Sequence, residues 1–225
     1  MSYILNIHTA TDTAIVNIGN GEEKIATVVN TISRQHAAFL HTAIQSIMKE
    51  NGVSITELSA VGVTSGPGSY TGIRVGMAAA KGLCYALKVP LITLNTLEIL
   101  ALSAIESTGD AHDLYCPMID ARRMEVYTAI YNYDLKEIVA PSAINLTDTI
   151  FGNQLQSQKV YFFGDGSGKY ETMANTVPRS YFIKQDISSA ALYRICLRKF
   201  QKKEWADVGS AAPLYLKEFY SPKEK

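Results

Sequence analysis

Three groups of residues carry chemistry-bearing side chains at close spacing. The first is Ser65-Gly66-Pro67-Gly68-Ser69-Tyr70-Thr71-Gly72, set between the apolar run Ala60–Thr64 and a proline-free segment that reaches Leu87. Glycines at that junction permit a tight turn, and a strand–glycine loop–helix unit aims backbone N–H groups at the positive end of a helix. That arrangement suits a phosphate or another stretch of backbone. Position 71 is Thr and position 72 is Gly, with no Lys nearby, so neither the Walker loop nor the dinucleotide fingerprint is present. The second group is His36 and His41, five residues apart and so about 140° around a helix, too far to share one ion easily. Both are expected at a surface or interface. The third is Asp120 and Asp165 beside turns, where a carboxylate most simply bonds its own backbone. Ser69 and Ser167 each follow a Gly directly, so neither forms a Gly-x-Ser-x-Gly elbow.

The elements that must position these residues follow from periodicity. Tyr3–Ile7, Thr13–Ile18 and Lys24–Asn30 read as a hairpin and a third strand. Ser33 is placed to cap a helix that Gly52 ends, with Ala37, Leu40, Ile44 and Ile47 along one seam. After the glycine loop come a helix over Gly72–Leu87, a strand at Leu91–Leu94 and a helix over Thr96–Ser107. Beyond the polar stretch Thr108–Asp113 the order starts again. Strands are expected at Leu114–Ile119, Glu125–Tyr131 and Glu137–Asn145, a helix at Thr147–Gln156 and a strand at Lys159–Phe163. A second glycine loop, Gly164–Gly168, and a long helix over Ser188–Trp205 complete the half. The chain therefore divides into two similar lobes, 1–107 and 108–225, each a mixed sheet flanked by helices, with Ser221–Lys225 as a free tail.

Gly72, Gly76, Ala80 and Cys84 recur every four residues and form a stripe of small side chains. Something must lie very close to it: this chain's own sheet, a neighbouring helix, or a helix of another chain. With the Ala37, Leu40, Ile44 and Ile47 seam beside it, the expectation is a partner interface built from the first two long helices.

Composition narrows the classes further. Of 225 residues, 47% are hydrophobic; Lys+Arg and Asp+Glu are both 21, which argues against a large nucleic-acid footprint on this chain alone. Cys84, Cys116 and Cys196 are widely spaced and read as reduced core thiols of a cytoplasmic protein. Arg194, Arg198 and Lys202, with Lys199 and Lys203 beside them, make a basic stripe whose default is a solvated face.

Four segments carry a resemblance: Ile7-His8-Thr9-Ala10-Thr11, Gly66–Gly76, Ile119–Tyr127 and Pro213-Leu214-Tyr215-Leu216. Together they resemble the TsaB (YeaZ, glycoprotease-like) family, over nearly the whole chain. The resemblance implies the actin-like (ASKHA) fold of two duplicated lobes with five-stranded mixed sheets. It implies a non-catalytic subunit that pairs with the paralogous transferase TsaD and, with the ATPase TsaE, adds threonylcarbamoyl to the adenosine beside the anticodon of tRNA. A homodimer is the alternative when the chain is alone. Any bound nucleotide would lie at Thr9, Thr11, Gly66, Gly68, Ser69 and Asp120; no cofactor is required by this chain, and ATP or ADP with magnesium would belong to the complex. The paralogue's metal-binding His pair is spaced by four residues, not five. His8 stands where family members usually have Asp, which puts intrinsic ATP hydrolysis in doubt because a neutral imidazole attracts hydrated magnesium poorly. A stand-alone actin-like ATPase or kinase, and a protease, remain as alternatives.

Overall fold

A computed structural model describes residues 2–32, 35–147, 149–174 and 176–217. The expected Ser33 cap and the Ser221–Lys225 tail lie outside the described residues. Strands β1 (Tyr3–His8), β2 (Ala14–Asn20) and β3 (Glu23–Asn30) form an antiparallel meander. Helix α1 (His36–Glu50) leads to β4 (Leu58–Gly66), which pairs parallel with β1. Helix α2 (Tyr70–Leu87) returns the chain to β5 (Leu91–Asn95), parallel to β4, and α3 (Thr96–Thr108) follows. The sheet order is β3-β2-β1-β4-β5.

The second half repeats this order. Strands β6 (Leu114–Asp120), β7 (Glu125–Tyr131), β8 (Glu137–Asn145), β9 (Val160–Phe163) and β10 (Ser180–Phe182) assemble as β8-β7-β6-β9-β10. Between them lie α4 (Gly152–Ser157) and α5 (Ser167–Ala174), and α6 (Ser189–Gln201) closes the half. The duplication is more complete than the sequence pattern predicts. The stretch between the second glycine loop and the long helix, which the sequence pattern leaves unassigned, forms α5 and the three-residue β10, and α6 starts at Ser189. Helix α4 begins five residues after the expected Thr147, and α6 stops at Gln201 rather than Trp205, at the positive φ of Lys203.

The two middle helices exchange lobes. Helix α6 covers the inner face of the first sheet, where Leu192, Ile195 and Cys196 pack with Ile4, Ala60 and Ile92. Helix α3 faces the second sheet, with Leu97, Leu100 and Ala104 against Tyr115, Ile119 and Phe163. Arg194 and Arg198 of α6 pair with Glu106 and Glu98 of α3, so two members of the basic stripe are spent between these helices. Asn17 fixes the depth of α6: it accepts from Asn6 at 2.9 Å and donates to the Ser189 carbonyl at 2.9 Å. All three cysteines are buried and unbridged; burial pushes Cys84 up to about 11 and Cys116 up to about 12, far from a reactive thiolate.

After α6 the chain runs back over the first lobe as a strap. The Ala206 N–H donates to Leu91 O at 2.8 Å, Lys81 of α2 donates to the carbonyls of Gly209 and Ala211, and the Leu214 N–H donates to Ser65 O at 2.7 Å. Arg74 lies 3.9 Å over the Tyr70 ring and donates to the Tyr215 hydroxyl at 2.8 Å. Lys217 then pairs with Glu125 of the second lobe. The Pro213–Leu216 motif is therefore the part of the strap that crosses the glycine loop.

Candidate functional site

The glycine loop is filled by this chain's own backbone. A Cβ on Gly68 would sit 2.0 Å from Ala10 O, and one on Gly66 would sit 2.8 Å from Leu214 O. The Ser69 N–H donates to Ala10 O at 2.7 Å, and the Ser69 hydroxyl caps α2 by accepting from the Gly72 N–H at 3.2 Å. Thr9, fully buried, donates to Gly72 O at 2.7 Å. The loop thus clamps α2 to the β1–β2 turn, with close approaches to the Ala10 and Leu214 carbonyls.

His8 sits at the end of β1 with no exposed surface. The Thr11 hydroxyl spends its proton on Thr13 O, so it accepts from His8 Nε2 at 2.8 Å; Nδ1 then takes the proton of the Thr64 hydroxyl at 3.1 Å. Both ring nitrogens are satisfied in the neutral state. Burial, with a smaller contribution from His36, lowers this imidazole to about 3. Across the lobes, Asp120 accepts from Lys169 at 2.7 Å and from the Arg122 N–H, while its own N–H donates to Asp165 Oδ1 at 2.9 Å. Desolvation opposes ionisation of Asp120, but these hydrogen bonds together hold its carboxyl below the usual range. The residues expected to hold a nucleotide are thus brought to one end of the sheets, but each is engaged within the chain. The cavity between the lobes there, bounded by Thr11, Leu100, Ile119, Gly164 and Asp165, is about 80 Å³. A magnesium–nucleotide does not fit this arrangement: there is no ionised carboxylate at His8, and the Gly68 side is closed by Ala10.

The stripe Gly72, Gly76, Ala80 and Cys84 faces the chain's own sheet, which corrects its expected place in a partner interface. A Cβ on Gly72 would lie 2.0 Å from Thr9 O, and one on Gly76 would lie 2.4 Å from Thr9 Oγ1 and about van der Waals distance from Ile7 and Val63. Ala80 and Cys84 are buried in the same layer, and so are Leu40 and Ile47 of α1. Small side chains are needed because β1 and β4 pass directly beneath α2. Of the eight expected interface residues, Gly72 lines a separate cavity at the start of α2, and Ala37 and Ile44 line an open surface between the two helices.

That surface is a groove between the outer flanks of α1 and α2, about 930 Å³ in volume. Its floor is Ile44, Met48 and Val53, and its α2 wall is Val75, Ala79, Gly82 and Leu83. Gly82 has nothing within 4 Å of where a Cβ would point. A second apolar spacing on α2, Val75–Ala79–Leu83, was present in the sequence beside the small one and would have found this wall. His41 borders the groove, whereas His36 is buried with its Nε2 donating to Thr11 O at 2.8 Å, so the expectation of two surface histidines holds only for His41. Among the described residues, no group of three His, Cys, Asp or Glu side chains could hold a metal.

The model of the family described as "TsaD: tRNA N6-adenosine threonylcarbamoyltransferase" matches residues 25–218. The chain belongs to this family. Within it the TsaB resemblance holds. The tRNA threonylcarbamoyladenosine biosynthesis protein TsaB of Bacillus subtilis is 29% identical over 95% of this chain and 93% of that protein. TsaB of Escherichia coli is 34% identical, over 58% of this chain and 55% of its own length. The tRNA N6-adenosine threonylcarbamoyltransferase of Rickettsia canadensis is 35% identical over 46% of this chain, which covers only 35% of that enzyme. Two structures of Pseudomonas aeruginosa, one titled YeaZ and one titled as similar to peptidase YEAZ, superpose with TM-scores of 0.78 and 0.81 at 22% identity, covering 96% of this chain and all of theirs. The fold is the actin-like, ASKHA type, with two five-stranded mixed sheets flanked by helices.

Proposed function

We propose that this chain is a non-catalytic subunit of the machinery that makes N6-threonylcarbamoyladenosine on tRNA. It docks the paralogous transferase TsaD through the α1–α2 groove. The ATPase TsaE and the tRNA meet it within the complex, and the adenosine beside the anticodon is modified there. The observation that carries the reading is the apolar groove on the outer flanks of α1 and α2, set against a cleft whose nucleotide-site residues are engaged within the chain. A transferase of the same fold offers the same pair of helices, and helix pairs of matched shape pack ridges into grooves about a pseudo-twofold axis. Apolar burial in a groove of this kind stabilises by about 25 cal/mol per Å². ATP and magnesium belong, in this reading, to the other subunits, and the complex works in the cytoplasm. No described helix is long and apolar enough to cross a membrane. The test is a reconstituted modification assay with TsaD, TsaE, threonylcarbamoyl donor and tRNA, with this chain present or omitted. The reading requires modification to fall to background on omission. Full modification without the chain, or modification by the chain alone, would refute it.

A further inference from the structure

The strap side of α2 carries a stripe of aromatic and cationic side chains. Tyr70, Arg74, Lys81, Tyr85 and the C-cap Lys88 are spaced by four, seven, four and three residues, so they follow one line along the helix. At 18 residues, the helix gives this line a length of about 27 Å. The stripe borders the strap: Lys81 donates to the carbonyls of Gly209 and Ala211, and Arg74 donates to the Tyr215 hydroxyl. The groove wall of Val75, Ala79 and Leu83 is turned the other way, toward α1.

Three features decide what the stripe fits. The first is uncompensated charge. Lys169, Arg194, Arg198 and Lys217 each pair with a carboxylate, whereas among the described residues none of Arg74, Lys81 and Lys88 forms an ion pair. Helix α2 itself contains no Asp or Glu. Asp207 of the strap lies near Lys81, but its Oδ1 accepts from the N–H and the hydroxyl of Ser210 at 2.7 and 2.8 Å. The second feature is exposed rings. Tyr85, one turn from Lys81 and from Lys88, is 82% exposed, and Tyr70 and Tyr215 are 42% and 39% exposed. The third is the fixed position of Arg74. Its guanidinium lies 3.9 Å from the centre of the Tyr70 ring and 5.9 Å from that of Tyr215. The Nε–H is one of five donors, so the bond to Tyr215 holds the group in place and leaves others for a ligand. Cations interleaved with aromatic faces match a nucleic-acid strand, whose phosphates meet the charges and whose bases stack on the rings. An acidic peptide offers carboxylates to the cations but no flat faces to the rings.

We propose that this stripe is a contact for an RNA strand, with phosphates taken by Arg74, Lys81 and Lys88 and bases stacked on Tyr85 and beside the Tyr70–Tyr215 pair. Naming tRNA as the source of the strand rests on the function proposed above; the contact itself belongs to this chain alone. A chain of zero net charge suits such a narrow stripe and not a broad basic face.

The experiment is a fluorescence-anisotropy titration of a labelled, unmodified tRNA transcript with the full chain and no other subunit, at about 50 mM salt, with polyglutamate as competitor. Saturable binding tighter than about 100 µM is expected, with log affinity falling against log salt with a slope of about −2 for three phosphate contacts. Tyr85→Ala removes an exposed ring and supplies a stronger helix former, so the variant melts normally and binds about fivefold or more weakly. Lys88→Gly suits the positive φ of 56° and makes the salt slope shallower by about 0.7. Tyr181→Ala, at an exposed ring of β10 in the second lobe, is the control and keeps wild-type affinity. The proposal is overturned by the absence of saturation at 100 µM, the limit set by about the weakest non-specific binding. Displacement of tRNA by polyglutamate at equal charge concentration overturns it too, because an acidic protein surface would then serve as well. So does wild-type affinity and slope in Tyr85→Ala and Lys88→Gly. If modification requires the chain but both variants bind tRNA normally, the stripe alone falls. If modification proceeds without the chain while both variants lose tRNA, the stripe stands and the proposed function falls.

Discussion

At the scale of single residues, His8 decides what the first hairpin can do. Its ring is fully buried and bonded on both nitrogens as a neutral group, so it offers neither charge nor a vacant lone pair to a metal. Folding lowers its pKa from 6.5 to about 3, so between those values the unfolded chain binds one more proton than the native one. The contribution of His8 is complete above pH 6.5 and falls by up to about 1.4 kcal/mol per pH unit as the pH drops toward 3. Denaturant unfolding of wild type and His8→Gln across this window should show a shallower pH dependence in the variant; parallel curves would mean the imidazole titrates normally. A carboxylate here would be a buried charge among hydroxyls, so His8→Asp should destabilise by about 1–3 kcal/mol and still leave ATP turnover below about 1 per second in a phosphate-release assay. Turnover above that rate would show that only the missing carboxylate had silenced the cleft. The identity of position 8 was legible from the sequence, but its satisfaction was not, because Thr64 and Thr11 reach it only through the β1–β4 pairing and the β1–β2 turn.

At the scale of elements, α2 is a helix with two working faces. The four-residue stripe of small side chains was plain in the sequence, and so was its meaning that something passes close by. Which of three neighbours it faced was not legible, because a stripe of Gly and Ala fits an internal sheet and a foreign helix equally well. Register settles it: the β1–β2 turn lies under Gly72, β1 and β4 lie under Gly76, and the open wall is the neighbouring Val75, Ala79 and Leu83. Gly76→Leu should therefore overpack the core against Thr9 and cost about 1–3 kcal/mol, seen as a lower melting temperature of the isolated chain. An unchanged melting temperature would place the stripe outside the core. The short elements α5 and β10 escaped the sequence reading for a related reason. Three strand residues and eight helical ones are too few to set a period, and β10 exists because β9 offers it an edge.

At the scale of the whole molecule, the halves that repeat in sequence are not independent in packing. Helix α6 covers the first sheet, α3 covers the second, and the strap returns from α6 to tie β5, α2 and the glycine loop. A fragment ending near residue 112 would leave Ile4, Ile15, Ala60 and Ile92 uncovered, so it should not fold alone. The full chain should unfold in one transition, with far-ultraviolet dichroism and the fluorescence of the single Trp205 on the strap changing together; two separated transitions would show that the lobes stand apart. The repeated order of elements made the two sheets legible, but the exchange of α3 and α6 was not, since each is apolar enough to serve either lobe. The groove belongs to the assembled first lobe, and the central claim is that it receives the paralogous transferase. Gly82→Arg tests it most directly, because the added side chain has no neighbour within 4 Å of its first carbon and projects where the partner helices would lie. In a thermal scan this variant should melt at or slightly above wild type, since removing a helical Gly stabilises by up to about 1 kcal/mol, while calorimetric titration with TsaD should show a loss of binding of at least about a hundredfold. Wild-type affinity in a normally folded Gly82→Arg chain would contradict the account.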